Sequence, residues 1–184
     1  MTPTAIVNAK GEDRIRGGHP WIYRSDVIEV ADVEPGIVVR VRGPRNRELG
    51  HALFSDQSQI TLRMISRDDR AIDLAFWRER LERALSFREI LEIDATAYRL
   101  VHGEADLLPS LVVDKYDDYL VIQALSQGMD RLTPTIVPLL VELPAPRVCW
   151  RGTIRKCGCL KDSSRRSRSY TARCPKPSPC ARPG

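Results

Sequence analysis

The first 148 residues of this 184-residue chain contain no cysteine, so no thiol nucleophile is available there. No run of about eighteen apolar residues occurs, which is the length that a membrane-spanning helix needs. The opening MTPTAIVNAKGEDRIRGG lacks the basic-then-apolar order of a secretion signal. No nucleophile–base arrangement is visible before residue 148 either. We therefore expect a cytoplasmic protein whose first 148 residues carry no catalytic residues of their own.

The net charge of +5 does not describe the two parts of the chain separately. Residues 149–184 hold ten Lys/Arg and one acid, Asp162, for a net charge of +9. Residues 1–148 hold the other 19 Lys/Arg and 23 Asp/Glu, for a net charge of −4. The basic composition therefore says nothing about the first 148 residues. Five cysteines follow the same division: Cys149, Cys157, Cys159, Cys174 and Cys180.

Short strand-like segments fill residues 1–70, with turn residues between them. Residues 37–42 alternate apolar and basic side chains, which is typical of a half-buried strand, and Gly-Pro-Arg-Asn at 43–46 forms a turn. The remaining strands are predicted at 5–8, 27–30, 49–54 and 59–65. Short strands at this spacing predict a small β-barrel or sandwich.

Residues 71–147 have the pattern of a second, α+β unit. Asp73 is a predicted N-cap, and apolar residues at three- and four-residue spacing predict a helix of about five turns after it. Strands follow at 97–102, 110–115 and 119–125, with Asp117-Asp118 as a tight turn. A second helix begins either near Gln127 or at Pro134, because proline is tolerated in the first turn of a helix and not in its interior.

Two ordered groups of residues resemble a known family. Lys10-Gly11, Arg14, residues 18–22, residues 50–55, residues 58–60 and Arg63 resemble a PUA domain, a small RNA-binding barrel. The similarity is to the version that opens the bacterial large-subunit rRNA cytosine-5 methyltransferases. A second group, from Arg99 to Tyr116, resembles the linking module that follows the PUA domain in that family. Leu107-Leu108 departs from it, because the family tends to have Gly-Leu there, and a missing glycine would strain this loop.

The resemblance implies an α+β architecture with a PUA-like barrel over 1–70 and a linking module over 71–147. It also implies a third, Rossmann-like part that binds S-adenosylmethionine and supplies a catalytic cysteine. After residue 148 no glycine-rich strand-to-helix turn with an acidic residue about twenty positions further on is found. We therefore expect the catalytic domain to be absent. The chain would then contain no catalytic residue and hold no cofactor, and its partner would be structured rRNA.

The candidate RNA-contacting residues lie in the first 63 positions. Arg14 and Arg16 would contact phosphates, Gly18 would let the backbone approach the ligand, and His19 would stack on an unpaired base. Trp21 could stack in the same way, but core packing is the favoured interpretation for it. The other candidates are Arg40, Arg42, His51, Ser55, Ser58 and Arg63. Solvated charge and turn formation are the alternative roles of these side chains.

Metal binding is not expected in this part of the chain. His102, Glu104 and Asp106 are spaced by two, but Gly103 and the Leu-Leu-Pro that follows predict a loop, in which strand alternation fails. We expect Arg99 and Glu104 to form an ion pair instead.

Residues 148–184 have three interpretations. The cysteine spacing fits no common zinc site, and the SSRRSRS stretch at 163–169 would suit a basic arm that binds phosphates. The third interpretation is a disordered tail read in a shifted frame, because cysteine and arginine codons are frequent when GC-rich sequence is read out of frame. One translation that the shifted codons from Val148 permit contains an Arg-Asn-Asp segment and an Arg-Met-Leu-Glu-Gly segment, which resemble the family after its linking module. The favoured hypothesis is therefore an RNA-binding part of an rRNA methyltransferase; the alternative is a stand-alone PUA-type binding protein with a genuine basic tail.

Overall fold

The computed structural model describes residues 3–30, 32–117 and 119–143 and, for the backbone alone, 149–152. The described part has two mixed α/β units in chain order. The elements of the first unit are β1 Thr4–Val7, α1 Ala9–Arg16, β2 Trp21–Tyr23, β3 Val27–Val30, β4 Val38–Arg42, β5 Glu48–Phe54 and β6 Ile60–Ser66. Those of the second are α2 Leu74–Ile90, β7 Ala97–His102, β8 Leu111–Tyr116, β9 Tyr119–Ala124, α3 Gln127–Glu142 and β10 Cys149–Gly152.

The first unit is a six-stranded mixed sheet in the order β2-β6-β5-β4-β1-β3. β1 pairs in parallel with β4 and antiparallel with β3, and the other neighbours are antiparallel. Within the described residues β2 and β3 are its two edges, so the sheet forms a half-barrel where a barrel was predicted. Its concave core includes Ala5, Val7, Ile22, Val39 and Val41. The five predicted strands were confirmed, whereas α1 and β2 were missed.

The second unit has a four-stranded sheet in the order β10-β9-β8-β7. Tyr116 faces Tyr119 in the β8–β9 register, which confirms the two-residue turn between them. β10 runs parallel to β9. The rest of the predicted tail, 153–184, lies outside the described residues.

The helices of the second unit pack on its sheet and on the half-barrel. Asp73 accepts a hydrogen bond from the Phe76 N–H at 2.9 Å, which confirms the predicted N-cap of α2. α2 and α3 share a core cluster with Leu53 of β5 and Ile65 of β6. The two units therefore have a continuous apolar interface and not a flexible connection alone.

α3 begins at Gln127, with Ser126 as its N-cap, and contains Pro134 and Pro138 in its interior. The alternative start at Pro134 is therefore wrong. An interior proline costs about 3 kcal/mol. Burial of one large apolar side chain contributes roughly 1.5–3 kcal/mol. α3 buries Met129, Ile136, Leu139 and Leu140, and this packing outweighs the cost of the two prolines.

Candidate RNA-binding surface

The segment from Arg14 to Tyr23 forms the end of α1, a tight turn and β2. Asn8 caps α1, its side chain accepting from the Gly11 N–H at 2.9 Å. Arg14 lies 2.8 Å from the carboxylate of Asp26 and stacks over the ring of Tyr23 at 5.0 Å. Asp26 is only 1% exposed, so Arg14 neutralises a buried carboxylate. The charge of Arg14 is therefore already compensated within the protein.

A second buried acid, Glu12, binds two further arginines. Arg16 approaches it at 3.2 Å within α1, and Arg47 approaches it from the turn before β5. Arg16 keeps more than half of its side chain in solvent, so it can still reach a ligand. Burial of Glu12 and Asp26 was not foreseen from the sequence, because acids in a charged segment usually face solvent.

Side-chain hydrogen bonds that involve Arg67, His19 and Glu104 stabilise the Gly18–Trp21 turn. Gly18 adopts a φ of +88°, and its carbonyl accepts a hydrogen bond from Arg67. His19 Nδ1 lies 3.1 Å from the backbone nitrogen of Trp21 and 3.0 Å from its carbonyl oxygen. Without a proton, Nδ1 accepts a hydrogen bond from the Trp21 N–H. With a proton, Nδ1 donates to the Trp21 carbonyl oxygen, so the ring is positioned in either state. Trp21 is half-buried, with its Nε1–H donating to Glu104 of the second unit at 2.8 Å.

Arg40 and Arg42 lie on β4 and pair with acidic neighbours. Arg42 contacts Glu48 at 2.7 Å, and Arg40 contacts the same carboxylate at 3.4 Å and Asp69 at 3.0 Å. Both guanidinium groups are partly exposed. They form a solvated network of mixed sign and not a stripe of uncompensated positive charge.

The remaining candidates are more buried than the sequence suggested. His51 is 5% exposed, and its register partner on β4 is Arg40. The Ser55 hydroxyl donates to Gln127 Oε1 at 2.6 Å, which ties β5 to α3. The Ser58 hydroxyl accepts from the Ile60 N–H at 3.1 Å. Arg63 is 8% exposed, and its Nη1 donates to the Ile60 carbonyl at 3.0 Å.

The ten candidates do not converge on one pocket. Arg14, Arg16, Gly18 and His19 lie around α1 and the turn after it, whereas Arg40, Arg42 and His51 lie on β4 and β5. Ser55 and Ser58 lie at the turn that joins β5 to β6, and Arg63 lies on β6. Most of the arginines have acidic partners, so the surface offers shape and hydrogen-bonding groups in place of a strong positive potential.

The loop after β7 is structural. Arg88 forms a two-point ion pair with Asp106, which also accepts from the His102 N–H at 2.6 Å. Arg99 pairs with Asp114 at 2.8 Å, so the predicted Arg99–Glu104 ion pair is wrong. The hydrogen bond to Asp114 raises the pKa of Arg99. Within the described ranges no group of three or more His, Cys, Asp or Glu side chains is placed to hold a metal ion.

The described residues do not fit an S-adenosylmethionine site. The turn between β9 and α3 is only Leu125-Ser126, without glycine. Gly128, in the first turn of α3, packs against Leu53, whose Cβ would be 2.8 Å from an added methyl group. A glycine that faces the protein core does not open a cradle for a nucleotide. No methyl-transfer step is therefore assigned to these residues.

In the part of the chain that the structure describes, no helix has both the length and the apolarity to span a bilayer.

Residues 5–67 match the family model of a PUA-like domain, so the half-barrel is a PUA-like domain. Over 146 residues the chain is 39% identical to ribosomal RNA large subunit methyltransferase I of Vibrio cholerae, a match that covers 77% of this chain and 36% of that protein. The protein of the same name from Aliivibrio fischeri is 37% identical over 143 residues, covering 75% and 36%. The chain thus spans about a third of the length of these curated relatives.

Solved structures agree on the fold. A putative SAM-dependent methyltransferase from Streptococcus mutans superposes with a TM-score of 0.74 at 18% identity, over 84% of this chain and 41% of that one. A putative methyltransferase complexed with SAH has the same TM-score and identity, over 84% and 40%. Most of this chain therefore has the fold of the corresponding part of these two structures.

Proposed function

We propose that this chain carries the RNA-docking part of an S-adenosylmethionine-dependent rRNA (cytosine-5) methyltransferase and binds structured large-subunit rRNA in the cytoplasm. The observation that carries the proposal is the continuous similarity to rRNA large subunit methyltransferases, which runs from the PUA-like domain through the second unit. The shared core of the two units supports it further, because a fixed arrangement would hold bound RNA at one orientation to whatever follows.

Recognition would depend on shape and hydrogen bonding more than on charge. The arginines of α1 and β4 pair with acids, so an RNA phosphate would have to compete with a carboxylate for these guanidinium groups. Structured RNA is recognised largely by shape and by contacts to 2′-hydroxyl groups and unpaired bases. Fluorescence anisotropy with a large-subunit rRNA fragment library and a tRNA competitor tests this. We expect binding of some rRNA fragments that tRNA does not displace; displacement of every fragment by equal tRNA would contradict the proposal.

Methyl transfer is not proposed for this chain. Cytosine-5 methylation needs a cysteine to attack the ring, and residues 3–143 contain none. Incubation of the purified chain with rRNA and radiolabelled S-adenosylmethionine should leave the rRNA unlabelled. Labelled rRNA would contradict this part of the proposal.

We further propose that a one-base insertion or deletion near codon 148 produced residues 148–184. The support is the abrupt change in cysteine and arginine content and the family-like segments that a shifted frame permits. Sequencing the gene across codons 140–190 and reading every frame downstream tests it. A Rossmann-like continuation with a cysteine in another frame is expected; the absence of such a frame would overturn the proposal.

The second candidate function is a stand-alone PUA-type RNA-binding or regulatory protein with a genuine basic tail. The ten Lys/Arg of residues 149–184 favour it, because phosphate contacts give affinity that falls steeply with salt. The two functions differ in whether RNA binding depends on these residues.

A further inference from the structure

A cleft lies between the outer face of the PUA-like sheet and the segment 69–72 that leads into α2. Val39, Val41 and Ala52 point into the half-barrel core. Arg40 and His51 are register partners on β4 and β5 and point to the opposite face, because side chains alternate along a strand. The polar side chains of the cleft are therefore built on two central strands and not on a mobile loop.

The cleft combines apolar walls with polar groups. Ile37, Val38 and Ile72 line it together with Arg40, His51 and Asp69. In ligand pockets a small number of polar groups fix the orientation of the bound molecule and provide specificity.

His51 gives independent evidence for a ligand. Its side chain is 5% exposed, and its Nδ1 has no hydrogen-bond partner among the described residues. Its other strand neighbour, Ser66, directs its hydroxyl to Asp68. A buried polar atom without a partner is rare and costs free energy, so an imidazole left in this state beside a cleft indicates that a bound group supplies what the protein does not.

The charges disfavour a phosphate in the cleft. Arg40 is compensated by Asp69 at 3.0 Å and by Glu48, and Arg70 is compensated by Glu79. Asp69 is two-thirds exposed, so its carboxylate would repel an anion and is free to accept further hydrogen bonds. The groups present therefore suit a neutral ring that has donors on its edge.

We propose that the cleft receives one unpaired nucleobase with an exocyclic amino group, from a bound RNA strand. This rests on the proposed RNA-docking function and names one contact point within it. Asp69 would accept from the amino group, and His51 Nδ1 would hydrogen-bond to the edge of the ring beside Arg40, which would donate to a ring nitrogen or carbonyl. Ile37 and Ile72 would contact the faces of the ring. Uracil has no amino group, so it would bind less well.

Histidine NMR tests the proposal directly, because the chain contains only three histidines, His19, His51 and His102. The full chain is labelled with ¹⁵N-histidine, and His51→Gln assigns the signal; His19→Gln and His102→Gln assign it by elimination if that variant fails to fold. The probes are oligocytidine and oligouridine of about twelve nucleotides, a length within the usual range of single-strand sites. We expect oligocytidine to shift the His51 signal at a concentration at least about 10-fold lower than oligouridine, which corresponds to about 1.4 kcal/mol.

A blocking variant provides the matched control. Ala71→Trp places a large side chain in the cleft, whereas Ala75→Trp places the same side chain on the exposed surface of α2 outside it. We expect Ala71→Trp to weaken the oligocytidine shift at least about 10-fold and Ala75→Trp to change it by less than about 2-fold. Equal loss in both variants would overturn the proposal.

Other outcomes separate this site from the proposed function. Oligocytidine or rRNA that binds by anisotropy while the His51 signal stays fixed would refute the nucleobase site and leave RNA docking standing. If cytidine monophosphate shifts the His51 signal and none of the RNA strands does, the cleft binds a free nucleotide and the proposal is refuted. Failure of every RNA to bind would refute the RNA-docking function together with the site.

Discussion

The indole Nε1 of Trp21 donates a hydrogen bond to the Glu104 carboxylate at 2.8 Å, which joins the PUA-like domain to the second unit across 83 positions of sequence. Both residues belong to motifs by which the sequence resembles rRNA methyltransferases. Neither core packing nor base stacking, the two roles expected for Trp21, describes this contact. A second hydrogen bond between the two units joins Ser55 to Gln127.

Removing either partner of the Trp21–Glu104 bond should loosen this interface. A hydrogen bond to a charged group contributes about 1.5–3 kcal/mol, and partial exposure reduces that to about 1 kcal/mol here. Trp21→Phe and Glu104→Ala should each lower the free energy of unfolding by about that amount in urea titrations. Glu104→Gln keeps an acceptor oxygen and should cost less than half as much. Additive losses in the double variant Trp21→Phe/Glu104→Ala would show that the two side chains are not coupled.

Leu107→Gly should stabilise the protein. Leu107 has a φ of 58°, in the left-handed region where a side chain costs about 1–2 kcal/mol, and its side chain is 43% exposed. Glycine relieves this strain but loses more conformational entropy on folding, so a net gain of about 0.5–1 kcal/mol is expected. Leu107→Ala is the control, since it removes the side-chain contacts and keeps the strain. The midpoint of urea unfolding checks this. A midpoint for Leu107→Gly that is equal to or below that of Leu107→Ala would contradict the prediction.

Acid should destabilise the protein partly through Asp68. A hydrogen bond from the Ser66 hydroxyl is the main reason that the pKa of Asp68 lies below its ordinary value of 3.8. Because the pKa is lower in the folded state, the contribution to stability is present above the unfolded value and is lost as pH falls through the folded one. Ser66→Ala should flatten this part of the stability–pH curve below about pH 4, and Asp68→Asn should flatten it further, because backbone hydrogen bonds and the charge of Arg70 still lower the pKa of Asp68 after Ser66→Ala. An unchanged curve for Asp68→Asn would assign the pH dependence to another carboxylate.

Ser55 and Ser58 should separate stability from RNA binding. The Ser55 hydroxyl is buried and bonded to Gln127, so Ser55→Ala should lower the free energy of unfolding by about 1–2 kcal/mol. Ser58 is partly exposed and bonds only within its own turn, so Ser58→Ala should cost less than about 0.5 kcal/mol. Thermal melts and rRNA anisotropy on both variants check this. Loss of RNA binding in Ser55→Ala with an unchanged melting temperature would mean that Ser55 contacts RNA.

Local signals in the sequence were sufficient for much of the fold. Asp73 before an apolar periodic stretch predicted the start of α2, and the Asp117-Asp118 pair predicted a hairpin turn. The missing glycine at Leu107 predicted strain at a residue that has a positive φ. Each of these features depends on a few neighbouring residues, and sequence reasoning is strongest there.

Features that depend on contacts between distant residues could not be predicted from the sequence. α1 was missed because Gly11 interrupts an otherwise polar segment; its glycine is needed because an added Cβ would lie 2.9 Å from Val7 and 3.0 Å from the Asp26 carbonyl. The acids that neutralise Arg14 and Arg40 are 12 and 29 positions away, Asp26 and Asp69. The sequence therefore offered these arginines as candidate phosphate contacts, whereas the fold brings acids to most of them.

The most direct test of the account is the affinity of the purified chain for large-subunit rRNA with and without the basic residues of the SSRRSRS stretch. The variant changes Arg165, Arg166 and Arg168 to serine, outside both described units. If the PUA-like domain docks rRNA, the fragments that resist tRNA competition should bind the variant within about 3-fold of the unchanged chain, since that difference is below 1 kcal/mol. Loss of all rRNA binding in the variant would contradict the account and assign RNA binding to the basic tail.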